Sequence, residues 1–175
     1  MSSVRPKQQL GRILLQRKMV SPNELTTALA VQKRALTPVP LASQLVDEGR
    51  VKEHDALLAL SEQSGIPAVD VSQAVITLSS LDCLPRAAAE ALLVLPLTVD
   101  AEAVVLAIAD PANKKAIDEI EFATGKAVRL RVALHTGMVA AIAAAYDAKE
   151  RGERCYRGPH APAAIPEAAP AKTGR

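Results

Sequence analysis

Aromatic side chains are nearly absent from this chain, which has no Trp, one Phe and two Tyr in 175 residues. Proteins that hold single-stranded nucleic acid stack its bases on aromatic rings, so this class is disfavoured. No apolar run approaches the roughly 18 residues of a membrane span, and we expect no membrane insertion. The polar, basic start is not followed by an apolar stretch, so the sequence predicts no secretory signal.

Clustered metal ligands and paired cysteines are also lacking. Cys83 and Cys155 lie far apart, without CxxC or Cys/His ligand spacing. His54, His135 and His160 have no carboxylate or cysteine at ligand spacing in the sequence. The chain therefore reads as cytoplasmic, reduced, metal-free and without a required cofactor. No nucleophile-elbow motif is present, and we expect a protein that is not an enzyme, although one sequence leaves a serine or cysteine nucleophile open.

Charge is unevenly distributed, although the formal net charge is only +2. Residues 1–34 carry seven basic and one acidic residue, and residues 35–124 carry five basic and fourteen acidic ones. A basic first segment beside an acidic middle could steer a phosphate-bearing ligand toward the N-terminal face. Solvated helix faces with a basic tail explain the same pattern. The acidic middle disfavours binding along a DNA duplex, and no DNA partner is expected.

An internal repeat is the most informative feature that is present. Residues 10–32 recur 31 positions later as residues 41–63, and two similar units suit a ligand or partner with two similar halves. Six positions are identical between the copies: Leu10/Leu41, Leu14/Leu45, Val20/Val51, Ala28/Ala59, Leu29/Leu60 and Gln32/Gln63.

Each copy predicts a pair of helices. Ser21 can cap the second helix, Pro22 suits its first turn, and Glu24 completes a capping box. Val20 and Leu25 stand at the positions of a hydrophobic staple. The second copy has weaker signals, with Gly49 placed to end its short helix in the left-handed conformation. Thr37-Pro38-Val39-Pro40 links the copies and cannot continue a helix.

The period changes after residue 66. We predict a short strand over 69–71, a helix over 84–91 and a β-hairpin of strands 92–99 and 103–109. Pro96 indicates that the first strand of this hairpin is bent or lies at an edge. A helix from Asp110-Pro111, a strand over 128–132 and a last helix follow. The sequence thus predicts an α+β protein. Two helix pairs (residues 1–66) pack against a small ββαβα subdomain (67–148), and a flexible Pro/Ala-rich tail (149–175) follows.

The repeat and the strand-rich half together resemble the N-terminal, MshEN-type domain of type II secretion and type IV pilus assembly ATPases. The family motif R-L-G-x-x-L, a later Gly, then L-x-x-x-L-x-x-Q occurs twice. The first copy matches it at Leu10, Gly11, Leu14, Leu25, Leu29 and Gln32, and the second at Leu41, Leu45, Gly49, Leu60 and Gln63. The stretch around Asp110-Pro111 and Ala116 to Gly125 is similar as well.

This resemblance implies binding of cyclic di-GMP across the two motifs, coupled to a secretion or pilus machinery protein. The implied ligand-binding residues are Gln9, Leu10, Gly11, Leu14, Leu25, Leu29 and Gln32, as the better-preserved half-site, and Leu41, Ala42, Leu45, Leu60 and Gln63. The motif departs from the family where Gln9 and Pro40 replace arginines and Ala42 replaces the Gly of the second copy. Lys18 replaces the later Gly of the first copy, and Ala56 replaces a Leu. Arg5, Lys7 or Arg12 are alternative cations near the first copy.

Two other interpretations remain open on the sequence. The leucines of each copy could form only a core, because helical stripes are generally buried. The chain could then be a degenerate copy that acts as a protein-interaction adaptor without a nucleotide. The sequence contains no G-x-x-x-x-G-K-[ST] phosphate loop, which predicts a stand-alone regulatory domain without the family's ATPase chemistry.

Overall fold

The computed structural model describes residues 9–37 and 39–162. The helices are α1 (Leu10–Gln16), α2 (Pro22–Arg34), α3 (Leu41–Asp47), α4 (Glu53–Ser64), α5 (Arg86–Leu92), α6 (Lys114–Thr124) and α7 (His135–Glu150), with a 3-10 helix over Leu78–Cys83. The strands are β1 (Val75–Thr77), β2 (Val94–Val99), β3 (Ala103–Ile108), β4 (Ala127–Val132) and β5 (Cys155–Arg157). The protein is α+β, as predicted.

The sequence repeat is a structural repeat. Helices α1 and α3 begin 31 residues apart, and so do α2 and α4. Ser21 caps α2, with its side chain accepting from the backbone N–H of Glu24 and the Glu24 carboxylate accepting in return. The Ser21 hydroxyl (2.7 Å) and the Ser21 backbone N–H (2.8 Å) both donate to the Glu24 carboxylate, and these two hydrogen bonds lower the pKa of Glu24. The predicted capping box is therefore confirmed.

Both copies share one hydrophobic core. Leu14 and Leu45 are completely buried in it, and Ala28 and Ala59 are equally inaccessible. Contacts of α1 with α4 and of α2 with α3 join the copies, and the Gln44 side-chain amide donates to the Ala28 carbonyl (3.1 Å). The two helix pairs thus form a single folded unit in which neither pair covers its apolar face alone.

The turn after the first helix of each copy reverses the chain through a left-handed residue. Gly49 has φ +68°, as predicted, and the matched residue Lys18 has φ +55°. The same hydrogen bonds form in both turns, from the Lys18 N–H to the Leu15 carbonyl and from the Gly49 N–H to the Val46 carbonyl. A side chain at this conformation is sterically strained, and glycine removes the strain.

Lys18→Gly is expected to raise the free energy of unfolding by about 1 kcal/mol, because the native conformation then carries no Cβ strain. Gly49→Lys in the second copy should lower it by a similar amount. Urea denaturation of both variants measures the two effects. A destabilising Lys18→Gly would show that the lysine side chain contributes more to stability than its backbone conformation costs.

The second half is built on a three-stranded sheet in the order β2-β3-β4. Strands β2 and β3 form the predicted antiparallel hairpin, with an irregularity between Pro96 and Thr98. Strand β4 runs parallel to β3, so α6 supplies the crossover that a parallel pair requires. Helix α7 lies over the sheet, and the Tyr146 hydroxyl donates to the Leu84 carbonyl (2.7 Å) within the second core.

The two halves are joined at the start of α7. Leu134 belongs to the core of the helical half. The backbone N–H of His135 donates to the hydroxyl of Ser43 (2.9 Å), a side chain only 1% exposed on α3. The α7 N-terminus receives no cap from its own flanking residue, so α3 supplies the missing acceptor. Next to it, Thr136 donates to Asp47 (3.3 Å).

Three predictions differ from the structure. Residues 69–71 form no strand; only Ala68 makes a bridge, to Val132, and β1 lies later. Helix α6 begins at Lys114, after a turn in which the Asp110 side chain accepts from the Ala112 N–H (2.9 Å). The prediction of a flexible tail from residue 149 is wrong for residues 149–157, because β5 pairs with β1 and Tyr156 is buried. The rest of that tail, from 163, lies outside the described residues.

Within residues 9–37 and 39–162, no helix has the length and apolarity needed to cross a membrane. In that same part of the chain, no three or more His, Cys, Asp or Glu side chains are grouped so that they could hold a metal ion.

Candidate functional site

A pocket of about 440 Å³ opens where the repeat meets the sheet. Its volume is within the range typical of small-molecule sites. Both copies contribute to it, and so does the loop between β3 and α6. The lining residues are Leu10, Pro40, Leu41, Ala42, Leu60, Gln63, Ser64, Ala109, Asp110, Pro111 and Val132.

Five of the predicted ligand-binding residues line this pocket. Leu10 comes from the first copy, and four come from the second: Leu41, Ala42, Leu60 and Gln63. Leu10 and Leu41 are matched positions of the repeat, so the pocket does join the two motifs. The sequence assigned the better half-site to the first copy, whereas the second copy provides most of this wall.

The other predicted residues lie elsewhere. Leu14 and Leu45 are fully buried in the shared core, Leu25 is 8% exposed beside them, and Leu29 is 38% exposed on α2. Gln9 is exposed at the N-terminus of α1. None of these five lines the pocket, and the core interpretation explains the burial of the first three.

Gly11 has a packing role. A Cβ built at Gly11 would lie 3.1 and 3.2 Å from the two terminal carbons of Leu25, so the glycine lets α1 approach α2 closely. In the second copy Ala42 replaces Gly11, and the residue matched to Leu25 is Ala56. In the second copy, the larger residue at the glycine position (Ala42) is thus accompanied by a smaller residue at the leucine position (Ala56).

The two repeated glutamines have different environments. The Gln32 side-chain amide donates to the Val39 carbonyl (2.7 Å) and fastens the linker between the copies. Gln63 is half-buried at the pocket wall, and its amide has no hydrogen-bond partner in the described part of the chain. Gln63 is therefore the polar group with free donors and an acceptor at this site.

The electrostatics of the pocket are unfavourable for an anion as it stands. Asp110 is the one charged side chain among the lining residues, and none of them is basic. Gln9 and Pro40 occupy matched positions just before α1 and α3, both with extended backbone (φ −67° and −53°). Arg12 is exposed on α1, and Arg5 and Lys7 lie outside the described residues.

The part of the site that comes from the second half of the chain was not predicted from the sequence. Ala109, Asp110, Pro111 and Val132 meet the repeat only through the fold. The Asp110-Pro111 pair is similar to the family in sequence, but its place in the same pocket as Leu41 depends on the tertiary fold.

A second polar cluster lies at Asp70, Ser72 and His160. The Ser72 hydroxyl donates to Asp70 (2.6 Å) and lies 3.2 Å from the His160 Nδ1. Burial opposes ionisation of Asp70, but hydrogen bonds from Ser72 and Gln73 outweigh it and lower its pKa. In a catalytic triad the carboxylate orients the histidine, and here it accepts directly from the serine. The arrangement fastens the segment after β5 and does not activate a nucleophile.

Comparison with known proteins identifies the family. The model of the MshEN domain matches residues 64–152. The chain belongs to the MshEN domain family. The match falls on the sheet-containing half and does not include the two repeat motifs of residues 10–63.

Individual relatives agree with this assignment. The type IV pilus assembly ATPase PilB of Myxococcus xanthus (strain DK1622) is 28% identical over 141 residues, which cover 81% of this chain and 25% of PilB. The chain thus spans about a quarter of the length of that relative. The solved structure of MshE with cdg, cyclic di-GMP, is 24% identical, with a TM-score of 0.59 over 78% of this chain and 97% of that one. The N-terminal domain of XpsE is also 24% identical, with a TM-score of 0.53. That match covers 82% of this chain and 97% of the XpsE domain chain. The two structures show the fold.

Proposed function

We propose that this MshEN domain is a regulatory domain of a bacterial secretion or pilus system that binds cyclic di-GMP in the pocket between its repeats. The observation that carries the proposal is the meeting of Leu10 and Leu41, matched residues of the two motifs, in one cavity. Relatives named for pilus assembly and for a complex with cdg support it.

The lining suits one half of such a ligand. The leucines offer apolar surface to the flat face of a guanine, and apolar burial contributes about 25 cal/mol per Å². The free amide of Gln63 can both donate to and accept from the polar edge of the base. The volume of about 440 Å³ is open to solvent on one side, which leaves the sugar-phosphate part of the ligand exposed.

Occupancy of the pocket can be transmitted along α3. Ala42 lines the pocket, and its neighbour Ser43 holds the N-terminus of α7. A ligand that shifts α3 would therefore alter the joint between the halves. This connection supports a regulatory role in which the nucleotide changes the relative packing of the repeat and α7.

Gln63→Glu is expected to weaken cyclic di-GMP binding by about tenfold or more. The substitution places a second carboxylate beside Asp110 in the pocket, and this carboxylate would repel the anionic ligand. The side chain keeps its size, so the unfolding midpoint should change little. Isothermal titration calorimetry with cyclic di-GMP, and with GTP as a control nucleotide, measures the affinity. Gln16→Glu adds the same charge at an exposed end of α1 outside the pocket.

Equal losses in both variants, or no saturable binding by the unaltered chain, would contradict the proposed pocket. Gly11→Asp is a poor test of the same idea. Its side chain would collide with Leu25, so a loss of binding would not be distinguishable from disruption of α1.

A protein-interaction adaptor without a nucleotide is the second candidate. This candidate is favoured by the charge of the pocket, whose lining contains the acidic residue Asp110 and no basic residue. Gln9 and Pro40 stand where the family has arginines. A calorimetric titration that stays silent at millimolar cyclic di-GMP, with the chain folded, supports this candidate over the first.

A further inference from the structure

Phe122 is the single phenylalanine of the chain, and it is 91% exposed. It lies on α6, whose opposite side buries Ala116 and Ile120 against the sheet. A large aromatic ring left in water forgoes a burial free energy that an apolar environment would provide. Aromatic residues are enriched among the side chains that dominate protein–protein binding.

Acidic side chains surround this ring. Asp118 and Glu119 precede Phe122 by four and three residues and share its face of the helix. Glu121 is also exposed, and residues 118–124 contain no basic side chain. Lys115, four residues before Glu119, forms an ion pair with it (3.7 Å) and is strongly exposed.

This charge pattern supports α6 only through the exposed ion pair of Lys115 with Glu119. The C-terminal end of a helix carries partial negative charge, so cations stabilise it and carboxylates oppose it. The last turn of α6 has no basic residue and includes Glu121. Glu121 accepts a hydrogen bond from the backbone N–H of Val128 (3.3 Å), which fastens the end of α6 to β4. The feature that the fold leaves unexplained is the exposed ring of Phe122 beside Asp118 and Glu119.

We propose that the outer face of α6, formed by Asp118, Glu119 and Phe122, is the docking surface for a protein partner that presents arginines around an apolar patch. The ring would supply the apolar anchor, and the carboxylates would pair with the arginines at its rim. An arginine can also stack on the ring itself.

The charge selects this occupant over other classes. Nucleic acid and the surface of an anionic membrane are both negatively charged and would be repelled by the two carboxylates of this face. A second copy of the same face would bring like charges together, which disfavours a symmetric dimer through α6.

The inference rests on the part of the proposed function that involves a machinery partner, and it does not depend on the nucleotide. The α6 face and the pocket have no residue in common. Failure of the docking surface therefore leaves the titration with cyclic di-GMP unaffected, and the reverse also holds.

The test uses the full chain and two synthetic helical peptides. One is an amphipathic peptide of Leu, Ala and Arg, and the other has Glu in place of every Arg. Binding is followed by fluorescence anisotropy of the labelled peptides and by backbone NMR shifts of the ¹⁵N-labelled protein. The variants are Phe122→Ala and, as a matched control, Leu58→Ala, which truncates a side chain 42% exposed on α4.

We expect the arginine peptide to bind with NMR shifts centred on residues 114–124. Phe122→Ala should weaken it at least about tenfold and Leu58→Ala less than twofold. Raising the salt from about 50 to 500 mM should also weaken binding severalfold. Because Phe122 is exposed, its variant should keep the thermal midpoint of the unaltered chain.

Three results would overturn the proposal: no binding, equal binding of the Glu peptide, or binding that Phe122→Ala leaves unchanged. Concentration-dependent self-association that Phe122→Ala removes, measured by analytical ultracentrifugation, would assign the face to a second copy of this chain instead.

Discussion

Introducing arginine at both positions 9 and 40 is expected to raise the affinity for cyclic di-GMP by at least about a hundredfold. A charge-assisted hydrogen bond contributes about 1.5–3 kcal/mol, and about 1.4 kcal/mol corresponds to a tenfold change. Two such bonds therefore correspond to roughly two to four orders of magnitude. The lower figure allows for the entropy of ordering two long side chains.

The structure makes both substitutions feasible. Gln9 and Pro40 are exposed, and their backbone angles are extended, as any residue can adopt. Gln9 and Pro40 occupy matched positions before α1 and α3, so the repeat would relate the two new guanidinium groups to each other. The two phosphates of cyclic di-GMP are likewise equivalent halves of the ligand. Pro40 already lies at the pocket wall.

Calorimetry on Gln9→Arg, on Pro40→Arg and on the double variant measures the gains separately. The control carries Ala30→Arg and Val31→Arg, two exposed positions of α2 outside the pocket, and it adds the same net charge. A comparable gain in this control would mean that general attraction, and not the motif, raises the affinity. No gain in the double variant would exclude the pocket as a cyclic di-GMP site.

The second large effect concerns packing inside the first copy. Leu25→Ala is expected to lower the free energy of unfolding by about 2–4 kcal/mol, since it removes most of a buried side chain and leaves a cavity. Gly11→Ala alone should give little stabilisation or a loss, because its methyl would press on Leu25 at 3.1 Å.

The two substitutions together are expected to be less harmful than their sum. Once Leu25 is shortened, the methyl at position 11 enters free space and also favours the helix, by up to about 1 kcal/mol. The expected coupling between the two sites is about 1–2 kcal/mol. The double variant reproduces the pairing of Ala42 with Ala56 found in the second copy.

Urea denaturation of the four chains in this cycle measures the coupling. Leu29→Ala in place of Leu25→Ala is the matched control, because Leu29 is more than a third exposed and is absent from the shared core. Strict additivity of Gly11→Ala and Leu25→Ala would refute the packing role of Gly11 and return it to the list of candidate ligand contacts.

Much of the helical half could be predicted from sequence because its signals are local. The 31-residue repeat fixed the pairing of α1 with α3 and of α2 with α4, and the Ser21–Glu24 capping box located the start of α2. The hairpin β2-β3 and its irregularity near Pro96 were predictable for the same reason. These features depend on residues within a few positions of one another.

The candidate site was less predictable because tertiary contacts decide it. Helical spacing places Leu14 and Leu10 on one face but does not say that Leu14 is sealed in the core while Leu10 reaches a pocket. Asp110 joins the site only because the loop after β3 and helix α3 line the same pocket. The exposure of Phe122 could not be predicted, since a lone aromatic residue in a helical pattern is normally part of a core.

The pairing of β5 with β1 sets where this protein can be divided. The family match ends at residue 152, but β5 follows at Cys155–Arg157 and covers Ile76 with Tyr156. Gly158 then passes so close to the Ser72 backbone that a Cβ there would lie 2.1 Å from the Ser72 carbonyl oxygen. A fragment designed on the family boundary would leave a bare strand edge and a hydrophobic gap, inviting aggregation; the cooperative unit needs the residues up to about 160.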